Sequence, residues 1–157
     1  MDEVVSRQVL AVQGYMELGL IPEAQEELDA IDQSLDVVEI LRCDLFSRQS
    51  KWAELKELAE RLARSSPEGS QWWISWAYAV RRLESVEDAR EILIEARETH
   101  PTEPIIVYNL ACYASVSGNY EEARELLDQA IDLDATCKEM AKKDDDLKPL
   151  FKEATQS

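Results

Sequence analysis

The chain has 157 residues, of which 33 are acidic and 17 basic, so its formal net charge is −16. This length fits one domain, and an apolar fraction of 45% is enough for a folded core. The charge argues against a general nucleic-acid binder and against docking on anionic lipid, because both need clustered lysine and arginine.

The beginning of the chain shows neither a targeting nor a membrane signal. Residues 1–10 lack the basic start of a secretory signal, and no apolar run approaches the roughly 18 residues of a spanning helix. The three cysteines are widely spaced and form no CxxC pair. These features predict a protein of the reducing cytoplasm that does not contact membranes.

The acidic charge is concentrated near the N-terminus. Residues 1–41 contain ten acidic side chains and one basic one, Arg7. Two interpretations remain open. The charge either forms a solvated face that keeps the protein soluble, or it steers the protein toward a basic partner.

Apolar residues then recur three and four positions apart, as in Leu55, Leu58, Ala59 and Leu62. This spacing predicts amphipathic helices of about a dozen residues, and strand-like alternation is absent. Ser50, Ser85 and Asn119 are predicted helix N-caps. The pattern predicts an all-α protein built from antiparallel helix pairs.

The helical pattern repeats with a period of 34 residues. Leu55, Ala89 and Ala123 are 34 residues apart, and so are Pro67 and Pro101. The predicted repeats are about 5–35, 36–68, 69–102 and 103–135, followed by a C-terminal cap and tail at 136–157. Together these form a repeat array over residues 1–135.

A helix–turn–helix period of this length resembles the tetratricopeptide repeat (TPR). The last copy matches best, with VYNLACYA followed by GNYEEA, where Leu110, Ala111 and Ala123 occupy family positions. The third copy has Trp73, Ala89 and Pro101 in place, and the first two copies are degenerate. The resemblance covers roughly residues 6–135. It implies a right-handed α-solenoid of about four repeats with a C-terminal capping helix.

Residues after 135 are predicted to cap the array, because the last repeat of a solenoid otherwise exposes its core. Thr136 and Glu139 form a capping-box pattern, which predicts a helix over 136–144. Leu147, Leu150 and Phe151 are expected to pack back against the last repeat. Whether the chain beyond about Lys152 forms a mobile tail is left open.

The sequence contains no recognisable catalytic or metal-binding motif. The only histidine, His100, precedes Pro101 in a predicted turn without a nearby nucleophile. The run Asp144–Asp146 lacks the alternation and glycine of a calcium loop, and no glycine-rich nucleotide loop occurs. We therefore predict a protein that is not an enzyme and uses neither cofactor nor metal.

The TPR resemblance implies that the first helix of each repeat lines a concave groove. The predicted partner-binding residues of that groove are Arg48, Tyr78, Arg81, Arg82, Tyr108, Asn109 and Cys112. Arginine and tyrosine are enriched in binding hot spots, so the groove favours an acidic or carboxylate-bearing ligand. The alternative is that these residues form salt bridges and packing contacts within the repeats, and Cys112 in particular fits as a small core residue.

Three tryptophans cluster at positions 72, 73 and 76. Adjacent residues diverge by about 100° on a helix, so Trp72 and Trp73 cannot share a face. Trp73 and Trp76 are expected in the core, and Trp72 is expected to be exposed at the groove edge or at an assembly surface. An exposed Trp72 would support a homo-oligomer.

The leading functional prediction is a non-enzymatic protein–protein interaction module that binds a peptide or partner segment in the groove. Three alternatives from other classes remain. One is a small acidic secretion or assembly chaperone. Another is a self-associating structural scaffold. The third is an enzyme, which would need a concave polar site with perturbed titrating groups that the sequence does not reveal.

Overall fold

A computed structural model describes the backbone of residues 2–156 and the side chains of residues 2–152. In this part of the chain every regular element is helical, as predicted. The helices are α1 (Glu3–Glu17), α2 (Ile21–Asp29), α3 (Asp36–Arg48), α4 (Trp52–Ser65), α5 (Ser70–Leu83), α6 (Val86–Thr99), α7 (Pro104–Val116), α8 (Tyr120–Leu133), α9 (Thr136–Lys143) and α10 (Lys148–Gln156). A short 3-10 helix, Asp145–Leu147, connects α9 to α10. Among the described helices, none combines the length and apolar character needed to cross a membrane.

The chain packs as two compact units, and the boundary between them falls inside α4, between Leu58 and Ala59. The first unit contains α1, α2, α3 and the start of α4. The second unit contains the rest of α4 and all later helices. The predicted division into an array at 1–135 and a cap with tail at 136–157 stays a prediction.

The core of the first unit forms where α1 packs against α2 and α3. Val9, Val12 and Met16 lie three and four positions apart on α1 and are buried together. They contact Leu28 of α2 and Leu41 of α3 within one apolar cluster. The ten acidic side chains of residues 1–41 are all exposed or half-buried. Their exposure favours the interpretation of a solvated, solubilising face.

Two glycines of the first unit are expected to respond in opposite ways to alanine. Gly14 lies inside α1, where an added Cβ meets nothing within 4 Å, so Gly14→Ala should raise the free energy of unfolding by about 0.5–1 kcal/mol. Gly19 has a φ of +75° in the turn after α1, so Gly19→Ala should lower it by about 1–2 kcal/mol. Urea unfolding of the full chain measures both changes. Changes of the same sign would contradict these local conformations.

The second unit repeats one packing arrangement. α5 packs against α6, α6 against α7, and α7 against α8. Ala77, Ala89, Ala111 and Ala123 are fully buried. Small side chains allow helices to approach closely where they cross, which accounts for alanine at these repeat positions.

The predicted helix caps are only partly correct. The Ser85 hydroxyl accepts a hydrogen bond from the Asp88 N–H at 3.0 Å, as predicted. Asn119 makes no side-chain cap bond, and Ser50 is not a cap, because it lies in the turn two residues before the start of α4, with a φ of +56°. Thr136 is the first residue of α9 rather than its cap, since the cap position is held by Ala135, which makes no side-chain cap bond. The Asp134 carboxylate accepts from the Thr136 N–H at 2.9 Å and from its hydroxyl at 2.7 Å.

The predicted exposure of Trp72 is wrong. Its side chain is only 8% exposed, and the reason lies in the turn before α5. A Cβ built on Gly69 would lie 2.7 Å from the Trp72 Nε1, so the indole occupies the space that this glycine leaves empty. Trp73 and Trp76 are buried as expected, with ring centroids 5.6 Å apart. Trp72 therefore offers no exposed assembly surface.

The C-terminal segment caps the second unit largely as predicted. α9 matches the expected helix, and Leu147 and Leu150 are buried. Phe151 was expected to pack inward, but it is 42% exposed. The helical backbone of α10 continues to Gln156. Ser157 and the side chains after Lys152 lie outside the described residues, so the question of a tail there is not tested.

Candidate functional site

Five of the predicted groove residues come together on one side of α5 and α7. On α5, Tyr78 lies one turn before the adjacent residues Arg81 and Arg82, and α7 contributes Asn109 and Cys112. They line a cavity of about 290 Å³ with Tyr113, Asp144 and Asp146. We call this surface, with Tyr108, the α5/α7 face.

A segment of the chain itself already lies on this face. It is the stretch Asp144–Leu147, which we call the acidic turn. The Arg81 guanidinium donates to both carboxylate oxygens of Asp146, at 2.7 and 2.9 Å. Hydrogen bonding to Asp146 raises the pKa of Arg81, so its charge is secure. Both side chains are about three-quarters buried, with 22% and 25% of their surfaces exposed, so this ion pair is better shielded from water than a surface pair.

The other carboxylate of the acidic turn is held by α7. The Tyr108 hydroxyl donates to the Asp144 Oδ2 at 2.8 Å, and the Cys112 thiol makes a longer contact of 3.6 Å to the same oxygen. Asp144 also accepts from the backbone N–H of Asp146 at 3.0 Å, which fixes the shape of the turn. The Asp146 carboxylate is therefore bound by α5 and the Asp144 carboxylate by α7.

The backbone and the last side chain of the acidic turn are also bound. The Ser115 hydroxyl donates to the backbone carbonyl of Asp146 at 2.6 Å. Leu147 is fully buried. The acidic turn thus makes polar and apolar contacts of the kind that a bound peptide makes.

Burial of the face changes its acid–base chemistry. Tyr108 and Cys112 are 4% and 3% exposed. Burial, followed by the negative charge of Asp144, raises the pKa of the Cys112 thiol far above its usual range. Burial also raises the pKa of Tyr108, and its hydrogen bond to Asp144 adds to the effect. Cys112 is consequently a protonated thiol near neutral pH, which makes it a poor nucleophile.

One group of described residues has donor atoms close enough to hold a metal ion. The thiol of Cys112 and the carboxylates of Asp144 and Asp146 lie within 4.8 Å of one another. Both oxygens of Asp146 already accept from Arg81, and Asp144 accepts from Tyr108. A cation there would also lie near the positive charge of Arg81, so the chemistry of this group does not favour a metal.

The cavity beside the acidic turn contains an unsatisfied donor. The Tyr113 hydroxyl is buried and has no hydrogen-bond partner within the described part of the chain. Its ring lies under the Arg81 guanidinium, which is 5.4 Å from the ring centroid. Tyr78, which lines the same cavity, is 40% exposed and makes this side of the face accessible. A buried hydroxyl without an acceptor is costly, so the cavity suits a ligand that brings one.

No protein-family model and no curated protein matches the sequence. Solved structures do match. YrrB, whose crystal structure is described as that of a TPR protein with an unusual peptide-binding site, has a TM-score of 0.64 and 16% identity over 85% of this chain and 71% of that chain. MamA from Desulfovibrio magneticus RS-1 has a TM-score of 0.66 and 14% identity over 99% of this chain and 94% of that chain. This chain has the TPR fold. Such low identities establish the fold alone, and they confirm the resemblance and the all-α repeat solenoid predicted from the sequence.

α5 and α7 lie at the start of the predicted repeats 69–102 and 103–135. That they line a partner-binding groove stays a prediction. Arg48 belongs to the first unit. It donates to the Asp44 carboxylate at 3.1 Å and to the backbone carbonyl of Met16 at 3.2 Å. These contacts agree with the alternative interpretation, in which an arginine stabilises its own repeats. The role of Arg48 in partner binding stays a prediction.

Sequence reasoning missed four residues that line or contact the α5/α7 face, namely Tyr113, Ser115, Asp144 and Asp146. The acidic run was tested only as a calcium loop. Its charge is opposite to that of Arg81, and this complementarity was the one available signal. His100 lies in a turn as expected, with its Nε2 2.8 Å from the backbone carbonyl of Pro67.

Proposed function

We propose that this chain is a non-enzymatic protein-interaction module that binds a carboxylate-bearing segment of a partner protein at the α5/α7 face. One observation carries this proposal. The face already binds the two carboxylates of the acidic turn, and the leucine that follows them is fully buried. A surface that holds an acidic segment of its own chain has the donors that an acidic partner needs.

The donors on the face suit carboxylates in particular. An arginine fork matches the two oxygens of a carboxylate, and hydrogen bonds to charged groups contribute about 1.5–3 kcal/mol each. Beyond the acidic turn, the same cavity is lined by Arg82, Asn109 and the unsatisfied hydroxyl of Tyr113. Arg82 is exposed, so a partner segment can reach this cavity from solvent, whereas the Tyr113 hydroxyl is buried at its lining.

The comparisons support this proposal at the level of the fold. YrrB is described as having a peptide-binding site. The proposal extends that property to this chain, whereas the residues assigned to it come from the α5/α7 face alone. The structural-scaffold alternative has lost its main support, because Trp72 is buried.

Charge reversal at Arg82 tests the proposal. Arg82 is exposed and lines the cavity, so Arg82→Glu should leave the fold intact and weaken binding of acidic peptides at least tenfold. The measurement is binding to an array of synthetic peptides with paired Asp or Glu residues, made with the full chain that carries Asp144→Asn/Asp146→Asn, so that the acidic turn does not occupy the face. Each peptide is compared with its Asn or Gln counterpart.

Arg61→Glu is the matched control, because Arg61 is exposed on α4 and does not line the cavity. It should leave peptide binding unchanged. Equal binding of acidic and amide peptides, or an equal loss from both arginine variants, would refute the proposed function. Tyr108→Ala would be a poor test, because Tyr108 is buried and its truncation threatens the fold.

A further inference from the structure

The acidic turn indicates which segments the α5/α7 face accepts. Resting on the proposed function, we propose that the partner carries the sequence D-x-D-L, and that this segment replaces the acidic turn on the face. The ligand class is thus a turn with two aspartates, two residues apart, followed directly by leucine. The turn built into this chain acts as a competing ligand.

The contacts of each turn residue define the motif. The carboxylate of Asp144 is bound by α7 through Tyr108, and that of Asp146 by α5 through Arg81. Asp145 points away, since it pairs with Lys148 at 2.6 Å and its side chain is 85% exposed. The middle position therefore accepts any residue, whereas the two flanking aspartates are specified.

The spacing and the leucine are specified as well. Two helices hold the two carboxylates, so the distance between the carboxylates is set by the positions of Arg81 on α5 and Tyr108 on α7. The Ser115 hydroxyl donates to the backbone carbonyl of Asp146, and the Asp146 N–H donates to the Asp144 carboxylate, so the segment is bound in a turn conformation. Leu147 is fully buried, so a charged or small residue at the fourth position would bind poorly.

The tether gives the acidic turn an advantage over an external segment. A segment linked to its own binding site acts at an effective concentration on the order of millimolar. A free peptide with the same contacts would therefore occupy little of the intact protein at micromolar concentration. Loosening the turn should uncover the binding that the intact chain suppresses.

The test uses the full chain and a fluorescently labelled peptide, KKDDDLKPLFK, which reproduces residues 142–152. Binding is followed by fluorescence anisotropy. The combined variant Asp144→Asn/Asp146→Asn should bind this peptide at least tenfold more tightly than the unaltered chain. The matched peptide KKNDNLKPLFK should bind the same variant at least tenfold more weakly, because it lacks the two carboxylates.

A second variant, Leu147→Asp, covers the case in which the asparagines still dock. A charge at this buried position should drive the turn off the face, and hydrogen exchange at residues 144–147 reports whether it has left. A released turn without a gain in peptide binding would overturn the inference. Equal binding of the aspartate and asparagine peptides would overturn it too.

The outcome also separates this inference from the proposed function. If acidic peptides of other sequences bind in an Arg82-dependent way while KKDDDLKPLFK does not, the proposed function stands and the D-x-D-L motif is refuted. If no acidic peptide binds any variant with a released turn, both are refuted. Adding Arg81→Met to the Asp144→Asn/Asp146→Asn variant should abolish the gain, which ties the effect to the α5/α7 face.

Discussion

Replacing Leu147 by alanine is expected to lower the free energy of unfolding of the second unit by about 2–5 kcal/mol. Leu147 is fully buried, so its truncation loses apolar burial and leaves a cavity. The loss should be among the largest for any residue after 135, because Leu147 anchors the acidic turn between α9 and α10. Urea unfolding of the full chain measures it.

Met140→Ala is the matched control for this prediction. Met140 lies on α9 and is 39% exposed, so its truncation should cost less than about 1 kcal/mol. Equal losses from the two substitutions would mean that the acidic turn is not packed into the second unit.

Arg81→Met is expected to lower the free energy of unfolding by about 1.5–3 kcal/mol, because it removes the charged donors of Asp146. Methionine keeps much of the apolar stem of arginine, so the loss reports mainly the two hydrogen bonds to the carboxylate. The substitution should also raise hydrogen exchange at residues 144–147, because the turn loses its anchor on α5.

Arg82→Met, one position later on α5, serves as the control. Arg82 is exposed, so this variant should change the free energy of unfolding by less than about 0.5 kcal/mol and leave the exchange of the acidic turn unchanged. If both variants released the turn equally, the ion pair between Arg81 and Asp146 would not be what holds it.

The repeat fold was predictable because its signals are local and periodic. Ala89 and Ala123 lie 34 residues apart and are both fully buried, so the sequence period reported a real packing constraint. The same holds for α9, which begins at Thr136 as the sequence predicts, although Thr136 is not its cap residue. Patterns within one repeat carry enough information to place its helices.

The covering of the α5/α7 face by the acidic turn was not predictable in the same way. Arg81 and Asp146 are 65 residues apart in sequence, and Tyr108 and Asp144 are 36 apart. No helical period links such residues, so the sequence indicated that Arg81 and Tyr108 share a face without showing that the chain covers it. The predicted exposure of Trp72 was wrong for a related reason. Its burial depends on the absence of a side chain at Gly69 rather than on the pattern of its own helix.

The central claim is that the α5/α7 face binds the carboxylates of an acidic segment. The most direct measurement is an NMR titration of the full-length Asp144→Asn/Asp146→Asn variant with KKDDDLKPLFK, which follows the side-chain Nε–H signals of its arginines. We expect the Arg81 signal to shift and saturate with this peptide, and to stay in place with KKNDNLKPLFK. An Arg81 signal that does not move while the peptide binds elsewhere would contradict the claim.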